Sequence, residues 1–464
     1  MEFFIDLSGL PANSPWAFAW WLITHGAWVA FVLIGLALWF ELWLWKRRHE
    51  YEHNVAYTLL AIDVPKTTEQ GPLAVEQVFA TLAATYVKGT LYERWWLGRV
   101  QESFSFEIVS LGGYIQFLIR TPVMYRDLIE ASIYAQYPDA EITEVEDYVH
   151  RIATDFDTDA YDLWGTEFEL MAKQVYPIRT YPEFKSEFGI EAQFKDPMAA
   201  LLEVLGRIQS DEDIWLQLVV TATDDQWKHE ARPVVKAIVE GKQPKGGFID
   251  YLFFKLPIKV LDDIGEIILP LWGEASEEHE KVEPGTMQKL TPGRRTVVEA
   301  IEHKASKIGF LVKFRLIYWG RRESFLKGRG VRAMVGAIQQ FTALDRNGFI
   351  PSKLMTTKAE YFLKESRINR KQRRILRHFQ TRSPHRGLGY GFILNIEELA
   401  SLYHFPVVEV KAPLVKKTEV KKSEPPFALP TPDAYLRPVS SALRSVPETS
   451  VKGQAPTNLP FVDE

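Results

Sequence analysis

Residues 361–386 carry nine basic side chains, Lys364, Arg367, Arg370, Lys371, Arg373, Arg374, Arg377, Arg382 and Arg386, against one acid, Glu365. On a helix, Arg367, Arg370, Lys371, Arg374 and Arg377 share one face at i, i+3, i+4 spacing. Ile368, Ile375 and Phe379 share another. The chemistry on offer is electrostatic. Such a row would neutralise a nucleic-acid phosphate backbone or a partner's carboxylates. It would equally attract anionic lipid headgroups, at about 1 kcal/mol per basic residue near a membrane surface. A solvated face that also pairs with carboxylates elsewhere in the chain is the remaining reading.

Other chemistry is sparse. The 464 residues include no cysteine, which removes disulfides, thiolate zinc sites, iron–sulfur clusters and cysteine nucleophiles. No GxxxxGK followed by Ser or Thr occurs, so Gly389 and Gly391 do not belong to a phosphate loop. No HExxH, serine elbow or dinucleotide fingerprint occurs either. The acidic cluster around His279 reads as a solvated charged turn in preference to a metal site. No catalytic, cofactor-binding or metal residue is therefore assigned. An enzyme remains only as a carboxylate pair assembled in three dimensions. A net charge of −5 makes the basic stretch a local patch on an acidic chain.

The elements that must position this patch follow from periodicity. Tyr57 to Val64 reads as a strand, and Pro72 to Lys88 as a helix opened by proline. Ser103 to Ser110 alternates, Gly112-Gly113 turns, and Tyr114 to Arg120 returns, a β-hairpin. A helix over 125–137 and a strand over 140–149 complete β-α-β-β-α-β, the order of a ferredoxin-like split βαβ unit over 57–149. Glu107, Arg120 and Asp127 read as its surface and turn residues. Leu91 to Val100, with Trp95 and Trp96, reads as a loop or hairpin extension, its tryptophans tucked on their own domain or turned to a membrane interface or partner.

After an Asp-rich linker, the same order recurs over 163–360. It has strands at 167–178, 213–223, 310–319 and from 349, helices at 196–208 and 323–341, and a helical insertion of about 224–308. Within the insertion, Gly246 to Trp272 is apolar but interrupted by charge, so it would lie at an interface, on a partner or on its own domain. Residues 361–410 form the basic helix and a closing strand and helix, with Asn395 as N-cap. Residues 411–464 are polar and proline-rich and read as disordered.

At the other end, Trp16 to Phe40 contains no charge and would span ~37 Å as a helix, against a hydrocarbon core of ~30 Å. Trp16, Trp20 and Trp21 flank one side, and Trp39, Trp43 and Trp45 the other, before Lys46, Arg47 and Arg48. This predicts a transmembrane anchor over 16–45. Residues 1–15 would lie outside, the bulk in the cytoplasm, and the protein in the inner or plasma membrane in contact with lipid.

Two stretches carry a family resemblance. The first is Phe104 to Ser110 with Arg120-Thr121-Pro122-Val123 and Glu130 to Glu141. The second is Ile393 to Pro406 with Val410 to Pro413 and Glu424-Pro425-Pro426. Together they resemble the accessory region, a domain of unknown function, that precedes the P-loop motor in type IV secretion-like conjugative-transfer ATPases of candidate-phylum bacteria. The motor has no counterpart here, so none of its nucleotide-binding residues carries over. The resemblance implies a non-catalytic scaffold or docking component of such an apparatus, partnered by a P-loop ATPase or by further copies of itself, with nucleic acid on the basic helix. A lipid- or envelope-binding protein is the alternative.

Overall fold

The strand-forming runs of both halves of the chain pair into one sheet of nine strands, antiparallel throughout. The computed structural model describes residues 28–65, 70–184, 196–240, 290–387, 389 and 391–406. Helix α1 (Trp28–Asn54) leads into β1 (Tyr57–Asp63), α2 (Pro72–Leu82) and a short α3 (Leu91–Trp95). Next come the hairpin β2 (Ser103–Leu111) and β3 (Tyr114–Pro122), α4 (Arg126–Gln136) and β4 (Glu141–Glu144). The second half holds β5 (Tyr161–Leu170), α5 (Met198–Gly206), β6 (Glu212–Ala222), α6 (Ala231–Val239) and α7 (Pro292–Ser306). It continues with β7 (Gly309–Arg321), α8 (Ala333–Gln339) and β8 (Phe349–Pro351). The basic helix α9 (Lys364–Thr381), β9 (Phe392–Asn395) and α10 (Ile396–Leu402) close the described chain.

The strand order is β4-β1-β3-β2-β6-β7-β5-β8, with β9 added beside β7. Read inward from either end, each half has the order of a split βαβ unit. The halves meet along β2 and β6, from Ser103 opposite Thr221 to Leu111 opposite Asp213. The hairpin turn uses Gly112 at φ +60° and Gly113 at φ +90°, the positive-φ pair that a tight turn of this hand demands. The fifth strand begins at Tyr161, earlier than periodicity predicts. Its first residues fall in the Asp-rich stretch, whose composition resembles a loop although Leu163 and Trp164 are buried.

Both faces of the sheet are covered. One packs Phe106, Phe117, Leu216 and Phe314 against α2, α4, α5, α8 and α10. The other packs Val109, Leu118, Trp215 and Ile317 against residues 148–156 and the apolar side of α9, Ile375, Leu376 and Phe379. Alternation along β2 feeds both layers, Phe104, Phe106 and Ile108 going one way and Val109 the other. The closing segment is fixed by Lys304 on α7, fully buried with Nζ 3.0 Å from a Glu398 oxygen of α10. Asn395 caps α10, accepting from Glu398 N at 2.8 Å while the Glu398 carboxylate accepts from Asn395 N at 2.9 Å.

The transmembrane expectation is corrected. Among the described residues no helix is long and apolar enough to cross a membrane. Within the described residues the uncharged part of α1 runs from Trp28 to Phe40, about 20 Å, before Glu41, against a ~30 Å core. Trp16, Trp20 and Trp21 lie outside the described residues. The single-pass topology and the plasma-membrane placement therefore have no support.

The second half of α1 instead packs on the sheet domain. Phe40 meets Trp95 edge-on at 5.7 Å and Trp43 meets Trp96 at 5.7 Å, so the two loop tryptophans contact their own chain. Trp39 and Trp45 stay exposed. Lys46 and Arg47 lie 3.8 and 3.3 Å from Glu50 on the same helix. Arg48 is half-buried. Residues 91–95 are helical because Thr90 and Glu93 form a capping box. The stretch 246–272, the acidic cluster around His279 and the tail from 411 lie outside the described residues.

Candidate nucleic-acid interface

Helix α9 presents the predicted basic face and is seated on the sheet by the opposite side. Arg367, Arg370, Arg374 and Arg377 are exposed, and so is Arg373. Their environments differ. Lys371 is turned back, its Nζ donating to the carbonyls of Thr356 at 3.0 Å and Lys358 at 2.9 Å. Arg374 donates to the Leu354 carbonyl at 3.1 Å, and Arg367 to that of Glu360 at 2.9 Å. Arg370, Arg373 and Arg377 have no ion pair or hydrogen bond from their side chains among the described residues, and they follow one another at i, i+3, i+7. The structure thus divides the predicted face: Arg367, Lys371 and Arg374 brace residues 354–360, while Arg370 and Arg377 face outward together with Arg373, which lay outside that face.

A feature the sequence reading missed stands at the start of the helix. Tyr361, Phe362 and Leu363 are 85%, 90% and 79% exposed. Tyr361 and Leu363 have φ of +68° and +51°, a left-handed conformation that costs a non-glycine residue roughly 1–2 kcal/mol. Three adjacent apolar side chains in a strained turn beside an arginine row are poor folding chemistry, and such strain concentrates where chains bind.

The other end of α9 is clamped by a polar row that crosses the sheet. Glu107 on β2 lies opposite Gln217 on β6, Gln217 opposite Arg315 on β7, and Arg315 opposite Glu167 on β5. Gln217 Nε2 donates to Glu107 at 3.0 Å, and Arg315 donates to Gln217 at 3.1 Å and to Glu167 at 3.2 Å. The same cations collect carbonyls at and beyond the end of the helix. Arg315 donates to those of His378, Ser383 and Arg386 at 3.2, 3.0 and 2.7 Å. Lys313 donates to those of Arg386 and Gly389 at 3.0 and 2.9 Å. Cations at a helix C-terminus are favoured by its dipole, and buried carbonyls require donors.

Arg382, at φ +51°, ends the helix and turns into the row. It contacts Glu107 through Nε and Nη2 and Asp147 through Nη1 and Nη2. Glu107 further accepts from Ser105 at 2.5 Å and from the Tyr148 hydroxyl at 2.7 Å. Burial alone would push the Glu107 carboxyl up, but Arg382 and these hydrogen bonds hold it below its usual range. Burial opposes the charge on Arg382 too, yet Glu107 and Asp147 drive its pKa well up. Burial pulls Lys313 down to about 8 against the pull of Glu167.

The reading of Glu107 as a surface residue is therefore corrected: it is closed to solvent at the centre of the clamp. Arg120 is half-buried, and Asp127 is exposed on α4. One signal in the sequence marks the row. Gln217 sits in IWLQLVV, and Lys313 and Arg315 in FLVKFRLIYW. Isolated polar residues in strands apolar on both faces must find partners across the sheet.

Among the described residues no group of three His, Asp or Glu is placed to hold a metal ion. A family model described as "Domain of unknown function (DUF8128)" matches residues 64–418. That description carries no link to secretion or to transfer ATPases. No curated protein matches the chain.

Proposed function

Since the chain belongs to this family of unknown function, the DUF8128 domain family, we propose from the geometry that it is a non-catalytic docking domain that holds single-stranded nucleic acid along α9. The observation that carries this reading is the outward row Arg370, Arg373 and Arg377, which has no carboxylate partner among the described residues. The row covers about 10 Å of helix axis, the axial length of about three phosphate steps at ~3.4 Å each. Tyr361 and Phe362 add exposed rings on which unpaired bases can stack, a contact a closed duplex does not offer along its length. The sheet, clamped to the helix at its far end, makes the platform rigid. The resemblance to the region preceding conjugative-transfer motors supports DNA as the strand and a P-loop ATPase as a partner.

Anisotropy with a labelled single-stranded oligonucleotide tests the proposal. The logarithm of the affinity is expected to fall linearly with log salt. Joint replacement of Arg370, Arg373 and Arg377 by Gln should lower that slope by about two. Tyr361→Ala with Phe362→Ala should weaken single-strand binding by ~1–3 kcal/mol per stacked base and leave duplex binding unchanged. Salt-insensitive binding, or the same salt slope in the arginine variant, would overturn the reading.

A further inference from the structure

A cleft of about 460 Å³ opens on the α9 side of the sheet, between the last turns of α1 and the ends of β1, β2 and β3. It is separate from the outward arginine row, none of whose members lines it. Arg120 lies in its wall, with the guanidinium carbon 3.6 Å from the centre of the Tyr57 ring. The ring covers one face of the guanidinium and fixes its plane. The N–H edge is left over, and it donates no hydrogen bond among the described residues. A partly buried cation with five unused donors is an unfinished arrangement.

The neighbouring carboxylates do not finish it. Both oxygens of Asp147 are taken by Arg382, at 2.6 and 2.9 Å. Glu107 is committed to Arg382 as well. Glu102 accepts from the Tyr51 hydroxyl at 2.8 Å, and Glu52 faces His385 at 3.4 Å. Arg386 brings a third guanidinium to the lining. Burial, and after it the nearby Arg382, lower Arg120 to about 10.

We propose that this cleft is a binding site for a small molecule bearing an oxyanion, carboxylate or phosphate, held by the free edge of Arg120 with Arg386 beside it. The planar fork of arginine matches either group with two parallel hydrogen bonds. The volume suits a small molecule, and the Tyr57 stack pre-orients the donors so that little ordering is lost on binding.

The test is calorimetric titration of the full chain at constant ionic strength, with inorganic phosphate in one arm and acetate in the other. Saturable binding of either is expected, and whichever binds identifies the oxyanion. Arg120→Met should weaken it about tenfold or more. The joint Gln variant of Arg370, Arg373 and Arg377 should bind as the parent does. Should Arg120→Met fail to fold, Arg386→Gln at the half-exposed rim provides the second reading, with several-fold weaker binding expected. No saturable binding of either anion by the parent chain overturns the proposal. So does undiminished binding in a folded Arg120→Met variant or, where that variant fails to fold, in Arg386→Gln. Loss only in the α9 variant would place the anion on the helix, with the same consequence.

Discussion

Arg382 and Glu107 form an ion pair with two hydrogen bonds, Nε to Oε1 at 2.6 Å and Nη2 to Oε2 at 3.0 Å, although 275 residues separate them. Both side chains are closed to solvent. A buried pair of this kind adds little stability over an apolar substitute, but half a pair is costly. Arg382→Met should therefore destabilise the chain by ~3–5 kcal/mol in urea unfolding. Adding Glu107→Leu should recover much of the loss. A single variant that unfolds with the parent would show that the clamp does not hold α9.

Stability should fall on acidification in two separate steps. His378 is pulled down to about 4 by burial and by Arg315, Arg374, Lys313 and Arg386, against an ordinary value of 6.5. The unfolded chain takes up the proton near 6.5 and the folded chain only near 4. Its contribution is therefore complete above about 6.5, declines as pH falls through that window and levels off below about 4. Glu107, whose folded value is depressed, adds a second loss that begins near the ordinary carboxylate value of about 4.3. Thermal melts from pH 8 to 3 should show both. In His378→Gln the upper step should vanish and the lower one remain. An unchanged upper step would assign it to other groups.

Gly98 decides whether α1 lies on the domain. A Cβ there would stand 2.5 Å from the Arg47 carbonyl carbon, on a backbone already at φ +70°. Gly98→Ala should displace the second half of α1, raise hydrogen exchange over 40–54 and alter tryptophan emission as Trp43 leaves Trp96, with the sheet unaffected. At Gly89 the nearest atoms are side chains at 3.5 Å or more, so Gly89→Ala is the matched control. Equal exchange in the two variants would refute the docking of α1.

Much of the element order was legible, because alternation and helical spacing are local properties. The hairpin at Gly112-Gly113 and the cap at Asn395 are examples. What alternation cannot tell is whether the second face of a strand meets water or another layer. That is why Glu107 resembled a surface residue and the fusion of the two halves stayed hidden. The apolar run before Glu41 resembled a membrane span because composition does not show that Phe40 and Trp43 at its end pack on Trp95 and Trp96. On α9 the charge pattern was plain from the sequence. Which arginines face outward was not, since Lys371 and Arg374 are turned back by carbonyls near residue 355, contributed by a separate segment.

The junction of β2 with β6 bears on how the protein can be handled. Cutting the chain between its two halves would bare Ser103–Leu111 on one piece and Glu212–Ala222 on the other, each a long edge with unsatisfied backbone donors and acceptors. Both runs are uninterrupted by proline and rich in β-formers, the makings of intermolecular zippers. Fragments made for separate study should self-associate or precipitate, and the two halves are best regarded as one indivisible unit of folding.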